Sequence, residues 1–398
     1  MGGIMSKDKN GAIYLCVLYC FLEIMVSTEI IYLVPDSFFS LLKYIVAAIM
    51  TVYLIYDIRH LKYNSAHIPV ILCFFVAICT VIFARSLQIY SYLLILMLLR
   101  NYSFKEILRS MYIMLWAVFL FTVLMSLINI YPNIDHSRNG TDRNALGFGA
   151  PTLGQSVLLF LLLSHFYLSK KKMSYIAIAL YFVLFSVMYA FTAGRTGFYL
   201  SILAVAVIVF YKLCNKAGFF NKFFSSNALC LVLVAAPFIF LIFSLILTYL
   251  YEIGLPFAVK LNDLLSTRLL LQMNALNERE ITLFGQDIVW MNEQGVYIGV
   301  DNSYLYHLFN YGIIVFLGAL VLYSYLLYEA WRRGDICMLL ILSIILLDGL
   351  VEPYMLDFKY NYFILCASSY LFAKKRLKQG YKNSLVFKIK LKRKEHTA

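Results

Sequence analysis

Long apolar runs, each about the length of one bilayer crossing, follow one another along nearly the whole chain. Candidate helices fall at 12–33, 38–57, 67–84, 86–100, 107–131, 153–169, 174–192, 197–213, 228–250, 303–328, 336–351 and 358–373, the fourth being the shortest. A helix needs about 20 apolar residues to cross a hydrocarbon core of about 30 Å. A chain in lipid must satisfy its own backbone hydrogen bonds, so only helices or a closed barrel can span it. The alternating ten-residue segments of a barrel are absent. The pattern predicts an all-α integral membrane protein with roughly twelve transmembrane helices. Composition agrees. Only 14% of the 398 residues are charged and 62% are hydrophobic, whereas a soluble domain carries about 25% charged residues.

The net charge is +13. In a soluble protein that would suggest nucleic acid, but here its distribution points to membrane topology and to no nucleic-acid partner. With the N-terminus inside, the inner segments carry Lys7, Lys9, Arg59, Lys62, Arg100, Lys105, Arg109, Lys170, Lys171, Lys172, Arg332, Arg333 and the basic tail. These and the lysines at 212, 216 and 222 make up most of the 34 basic residues. The positive-inside rule then places both termini in the cytoplasm. We expect one polytopic membrane domain over 1–373 and a cytoplasmic tail over 374–398. The tail either lies on anionic lipid headgroups or serves as a solvated stop-transfer segment. The first apolar run starts near Ala12 without a small-residue cleavage site and reads as a membrane helix rather than a signal peptide. Two outer segments are long, 131–152 and 251–302, while the inner ones are short, so function is sought on the outer face. The cysteines avoid both outer segments and form no CxxC pair, as expected of buried membrane thiols.

Against the positive-inside trend, the outer face keeps Arg138, Arg143, Arg195, Arg268 and Arg279. Arg195 stands in Thr192-Ala193-Gly194-Arg195-Thr196-Gly197, between two apolar helices with almost no loop. An arginine costs at least ~2.5 kcal/mol at mid-membrane, so it should have an anionic partner, unless it snorkels to headgroups. Arg268 lies early in the large outer segment, where 266–276 has helical periodicity and Ser266 or Thr267 is the expected cap. Converging arginines suit a pyrophosphate, because guanidinium is a permanently charged, bidentate donor. Asp301, Asp348, Glu352 and Asp357 are acidic residues of the same face. A partly desolvated carboxylate beside arginines could serve as a general base or a sugar-hydroxyl ligand. Asp301 could equally cap its helix, and Glu352 could be a structural partner of an arginine. Tyr297, Tyr304, Tyr306 and Tyr311 could stack on sugar rings. His136, His165 and His307 show no HxxH or HExxH spacing and suggest no metal site, His307 reading as a core hydrogen-bonding residue. There is no Walker A loop, dinucleotide fingerprint or GxSxG elbow, which excludes ATP-driven transport by this chain alone.

Several of these segments, in this order, resemble the Wzy-type polysaccharide polymerases of the O-antigen ligase/polymerase group. Arg143-Asn144-Ala145-Leu146-Gly147-Phe148-Gly149 is similar to an Arg-x-x-Leu-Gly-Phe-Gly segment, although Ala150-Pro151-Thr152 follows where many members have His-Pro-Asn. Residues 192–198 resemble a Ser/Gly-Arg-Thr-Gly turn. Ser266-Thr267-Arg268-Leu269 resembles Ser-Gly-Arg-Leu, with Thr267 in place of the common glycine and Gly285 fitting a later Phe-Gly. Asp301-Asn302-Ser303-Tyr304-Leu305 resembles Asp/His-Asn-x-Tyr-Leu, and Glu352-Pro353 through Asn361 resembles a final Glu…Asn segment. The resemblance spans about 143–362.

It implies a metal-independent, inverting glycosyltransferase of the GT-C kind in the cytoplasmic membrane, with no cofactor and a long outer loop before the tenth helix. Such an enzyme joins undecaprenyl-pyrophosphate-linked oligosaccharide repeat units into capsule or O-antigen. Membrane lipids surround it, and a flippase and a chain-length regulator are its expected protein partners. By this reading Asp301, Arg268, Arg195 and Glu352 are catalytic, and Arg143, Asn302, Tyr304 and Tyr297 bind substrate. Three rivals remain. A lipid-linked oligosaccharide flippase would favour midplane charges and inverted repeats. An O-antigen ligase-type transferase to another acceptor would favour His where Asp301 stands. A structural subunit of an envelope-assembly complex would need no site.

Overall fold

The computed structural model describes residues 11–58, 68–134, 143–215, 226–290 and 299–371. The described residues form helices joined by turns and loops, with an isolated antiparallel bridge between Thr28 and Phe148. In chain order the helices are α1 Gly11–Met25, α2 Asp36–Ile58, α3 Ile68–Ala84, α4 Gln88–Leu98, α5 Phe104–Leu127, α6 Leu153–Ser169 and α7 Tyr175–Thr192. They continue with α8 Arg195–Asn215, α9 Asn227–Glu252, α10 Pro256–Leu264, α11 Arg268–Glu278, α12 Ser303–Arg332, α13 Ile336–Asp348 and α14 Tyr362–Leu371. A helix stands at each of the expected positions. Seven of them, α2, α5, α6, α7, α8, α9 and α12, are long and apolar enough to cross a membrane. The chain is thus a helical protein of multi-pass membrane character. α4, at 11 residues, rises only about 16 Å at 1.5 Å per residue.

Local chemistry explains where the helices depart from the expected bounds. α5 begins at Phe104, earlier than its apolar run, because Ser103 and Glu106 form a capping box. α1 ends at Met25, well short of 33. Beyond it the backbone turns to pair with the 147–149 segment, Glu29 N–H donating to the Gly147 carbonyl (2.7 Å) and Gly149 N–H to the Ser27 carbonyl (2.9 Å). Gly147 makes that approach possible. Its φ is +81°, and a Cβ there would stand 2.7 Å from the Tyr131 ring and 2.8 Å from the Thr122 carbonyl oxygen.

α6 is the central helix. It is buried along most of its length, with Val157, Leu158, Phe160, Leu162 and Phe166 all inside, and it packs against α5, α7, α8 and α13. α2, α3, α7 and α9 instead turn rows of large apolar side chains outward, among them Ile71, Phe75, Ile82, Ile176 and Leu231. A surface of that kind is what a hydrocarbon environment requires.

α12 is broken. Gly312 has φ 78° and ψ 171°, outside helical geometry. The freed backbone is satisfied by the chain before α12, the N–H groups of Ile313 and Ile314 donating to the carbonyls of Thr282 and Leu283 at 2.9 and 3.3 Å. Gly285 lies against this break at φ +87°, so close that a Cβ on Gly312 would sit 2.3 Å from the Gly285 nitrogen. The two glycines let a strap over 282–288 lie in contact with the helix backbone.

The segment 251–302, expected on the outer face, contains more structure than expected. α11 matches the periodicity over 266–276, but α10 lies in what reads as loop, started by Pro256 in its first turn.

Candidate functional site

Arg268 opens α11 and is 4% exposed. Burying a guanidinium so completely requires paired charges and hydrogen bonds, and four segments supply them. Its Nη2 donates to Glu352 Oε1 at 2.7 Å. Its Nη1 donates to Thr196 Oγ1 at 2.9 Å and to the Leu265 carbonyl at 3.3 Å. Its Nε faces Asp301 Oδ2 at 3.6 Å, beyond hydrogen-bond distance, and this buried N–H has no acceptor among the described residues. A strong charged donor is therefore turned toward the Asp301 side without a hydrogen bond.

The two carboxylates differ in access. The Glu352 side chain is 2% exposed and that of Asp301 is 29% exposed. Burial pushes the Glu352 carboxyl up to about 7, with Arg268 opposing and Asp301 adding to the rise. For Arg268, burial works against the charge, but Glu352 and Asp301 outweigh it and raise its pKa. Asp348, buried one turn before Glu352, adds a third carboxyl to the neighbourhood.

Two of the other arginines, Arg143 and Arg195, meet at the 192–197 turn, while Arg138 lies outside the described residues and Arg279 follows α11. Arg143 Nε donates to the Thr192 carbonyl at 2.9 Å, and Asn144 N–H donates to the Phe191 carbonyl. Gly194 and Gly197 both lie against Gln155 of α6, where a Cβ would come within 2.8 and 2.6 Å of its Oε1. Arg195 begins α8, is exposed and has no ion-pair partner among the described residues. The anionic partner expected for it is therefore not found there. Its neighbour Thr196 makes the contact to Arg268. The five sequence segments singled out above thus join through hydrogen bonds and ion pairs: 143 to 192, 196 to 268, 268 to 301 and 352, and Ser303 Oγ to the Glu352 carbonyl at 2.6 Å.

Each of the three arginine-bearing turns holds a non-glycine residue in the left-handed region. These are Leu146, Ala193, and the adjacent pair Ser266 (φ 57°) and Thr267 (φ 69°). Thr267 is β-branched, for which this conformation is a marked outlier. Thr267 stands at the N-cap position of α11, as expected, but its side chain makes no capping hydrogen bond. The Thr267 hydroxyl donates to the Ser266 carbonyl instead.

Asn302 caps α12 in place of Asp301, its Oδ1 accepting from Tyr304 and Leu305 N–H groups while Nδ2 donates to Ser244 Oγ and the Leu350 carbonyl. Asn302 and Tyr304 are buried, and the Tyr304 hydroxyl donates to the Leu346 carbonyl at 3.0 Å, so protein groups occupy the polar atoms of both. Tyr297 lies outside the described residues. His307 behaves as the expected core residue, its Nε2 accepting from Leu356 N–H at 3.2 Å.

Sequence reasoning did not find the polar layer that anchors α11. Gln272 Oε1 accepts from Ser244 Oγ and Thr248 Oγ1 of α9, and Ser244 also meets Asn302. Ser244 and Thr248 lie four apart in an apolar helix, a spacing that was the available signal. No family model, curated protein or solved structure matches the chain.

Proposed function

We propose that this chain is a polymerase of lipid-linked polysaccharide repeat units, acting at the outer face of the cytoplasmic membrane by inverting glycosyl transfer within a twelve-span, GT-C-like fold. The observation that carries the reading is Arg268, buried between Glu352 and Asp301 with no hydrogen-bond acceptor for its Nε–H among the described residues. An acceptor sugar hydroxyl attacks the anomeric carbon of a glycan carried on undecaprenyl pyrophosphate. A new C–O glycosidic bond forms, the bond from the anomeric carbon to the phosphate oxygen breaks, and the pyrophosphate leaves with the electron pair. Asp301 takes the hydroxyl proton, being the more accessible of the two carboxylates. Arg268, with Arg195 and Arg143 on the neighbouring turn, meets the negative charge that develops on the leaving oxygen. Glu352 fixes the guanidinium plane and so acts as a positioning residue.

The break in α12 at Gly312 is the feature a transporter reading would use, since carriers place sites at broken helices. Here the strap over 282–288 closes the break by backbone pairing, and the paired arginine and carboxylates lie at the start of α12 rather than at its break.

The test is chain growth by purified protein in lipid, supplied with the lipid-linked repeat unit and a chelator. Wild type should form a ladder spaced by one repeat unit, and Arg268→Ala should form none while still inserting in the membrane. A normal-length ladder from Arg268→Ala would sink the assignment, and movement of the substrate between leaflets without a ladder would favour the flippase.

A further inference from the structure

A second polar feature lies apart from the Arg268 cluster. A cavity of about 320 Å³ opens between α1, α2, the start of α4, the strap over 282–288 and the first half of α12. None of Arg268, Asp301 and Glu352 lines it. Its volume is at the low end of the roughly 300–1,000 Å³ typical of small-molecule pockets, enough for a monosaccharide ring or a disaccharide.

Its lining is unusual for a bundle this apolar. Glu23 of α1 and Lys43 of α2 pair across it at 3.5 Å, and Arg85 pairs with Asp287 at its rim at 3.6 Å. The cations and anions cancel, so the cavity favours neither a phosphate nor a metal ion. Uncharged donors and acceptors complete the wall. The Tyr311 hydroxyl donates to Gln88, and Asn310 accepts from Trp290 Nε1 at 3.3 Å. Tyr306 presents an aromatic wall and stacks on Trp290 with centroids 6.0 Å apart. These groups already have partners within the protein, Asn310 Nδ2 also donating to the Tyr306 carbonyl at 2.8 Å, and an acyl chain would shut their remaining hydrogen-bonding capacity away from water, at a cost in free energy. A sugar ring matches them, with hydroxyls for the carboxylate and amides and a flat C–H face for the aromatic ring.

A polar seam leads from the cavity toward the Arg268 cluster. Gln88 contacts Tyr92, whose hydroxyl donates to Asp357 at 2.9 Å, and Asp357 pairs with Lys359 at 3.1 Å. Tyr360 packs edge-on against Tyr354 at 5.2 Å, two residues from Glu352.

We propose that this cavity is a saccharide subsite holding a neutral sugar of the acceptor repeat unit. The proposal rests on the polymerase reading for the word acceptor, but saccharide binding stands or falls independently. The experiment uses the full chain in lipid nanodiscs and, as probe, the repeat-unit oligosaccharide released from its lipid. Trp290 fluorescence is followed during titration, with Trp290→Phe as the control for the other tryptophans. Asn310→Ala and Gln286→Ala, the latter on the strap and outside any helix, are compared with wild type. We expect a saturable change that Trp290→Phe removes, at least tenfold weaker binding in both variants, and a repeat-unit KM raised about tenfold with kcat within twofold. Absence of saturable binding, or wild-type binding and KM in both variants, overturns the subsite. If that occurs while Arg268→Ala still abolishes the ladder, the polymerase reading survives. If Arg268→Ala leaves the ladder intact but the oligosaccharide binds in an Asn310-dependent way, the saccharide site survives without it.

Discussion

Arg268 and Glu352 form a buried pair whose two halves cannot be removed independently. Taking away one partner strands the other charge, at a cost of about 3–5 kcal/mol, whereas replacing both with apolar residues is often neutral. Arg268→Met alone should therefore lower the thermal midpoint in detergent clearly, and Arg268→Met with Glu352→Leu should recover most of it while chain growth stays absent. Recovery of growth in the double variant would show that the pair serves stability only. The Glu352 carboxyl also sets a pH dependence. Its pKa is raised from an ordinary 4.5 to about 7, so the folded protein holds a proton that the unfolded chain releases. Stability should be highest below that window, fall as pH rises through it and level off above about 7. Midpoints measured across this range should show the slope, and Glu352→Gln should flatten it. An unchanged slope would assign the titration to another group.

At the scale of elements, the turns and helix starts build the site more than the spans do. α11 starts with two successive left-handed residues, and Thr267 stores strain where a glycine would not. Thr267→Gly should gain up to about 1 kcal/mol from relief of that strain, less the extra chain entropy of glycine. We expect a slightly raised thermal midpoint with chain growth retained. A lost ladder with a raised midpoint would mean that the strain, or the Thr267 hydroxyl, takes part in the reaction. α12 divides its roles between neighbours: Asn302 supplies the cap, while the adjacent Asp301 faces Arg268. A capping rule read along the chain offers Asp301 that role as readily, because Asp and Asn are nearly equivalent caps and only the backbone geometry separates them.

Across the whole molecule, the ends of the long helices segregate charge. Asp301 lies two residues before the first residue of α12 and Arg332 is its last, so the two stand at opposite ends of a 30-residue helix broken at Gly312. The turn from α7 to α8 and the segment before α6 join the Arg268 end, while Lys170, Lys171 and Lys172 follow the far end of α6. By the positive-inside rule the Arg268 end is expected to be the outer one. Alkaline phosphatase fused after Gly254 should therefore be active, and fused after Gly334 inactive. The opposite pattern would invert the topology and put the arginine cluster in the cytoplasm, where the polymerase reading does not hold.

The positions of the helices were legible in the sequence because hydropathy is a local property, set by about twenty neighbouring residues at a time. Charges are rare in such a chain and costly to bury, which made Arg268 and Glu352 stand out among few candidates, yet the same cost predicted an anionic partner for Arg195, which is exposed. Which charge meets which was not legible. Residues 268 and 352 are brought to 2.7 Å only by the packing of α9, α11, α12 and the chain after α13. The early end of α1, the break in α12 and the polar cavity were likewise decided by contacts between segments far apart in the chain: Thr28 with Phe148, Gly285 with Gly312, Glu23 with Lys43. Backbone groups and charges in a low-dielectric interior must find partners, and which partners are within reach is settled by tertiary structure.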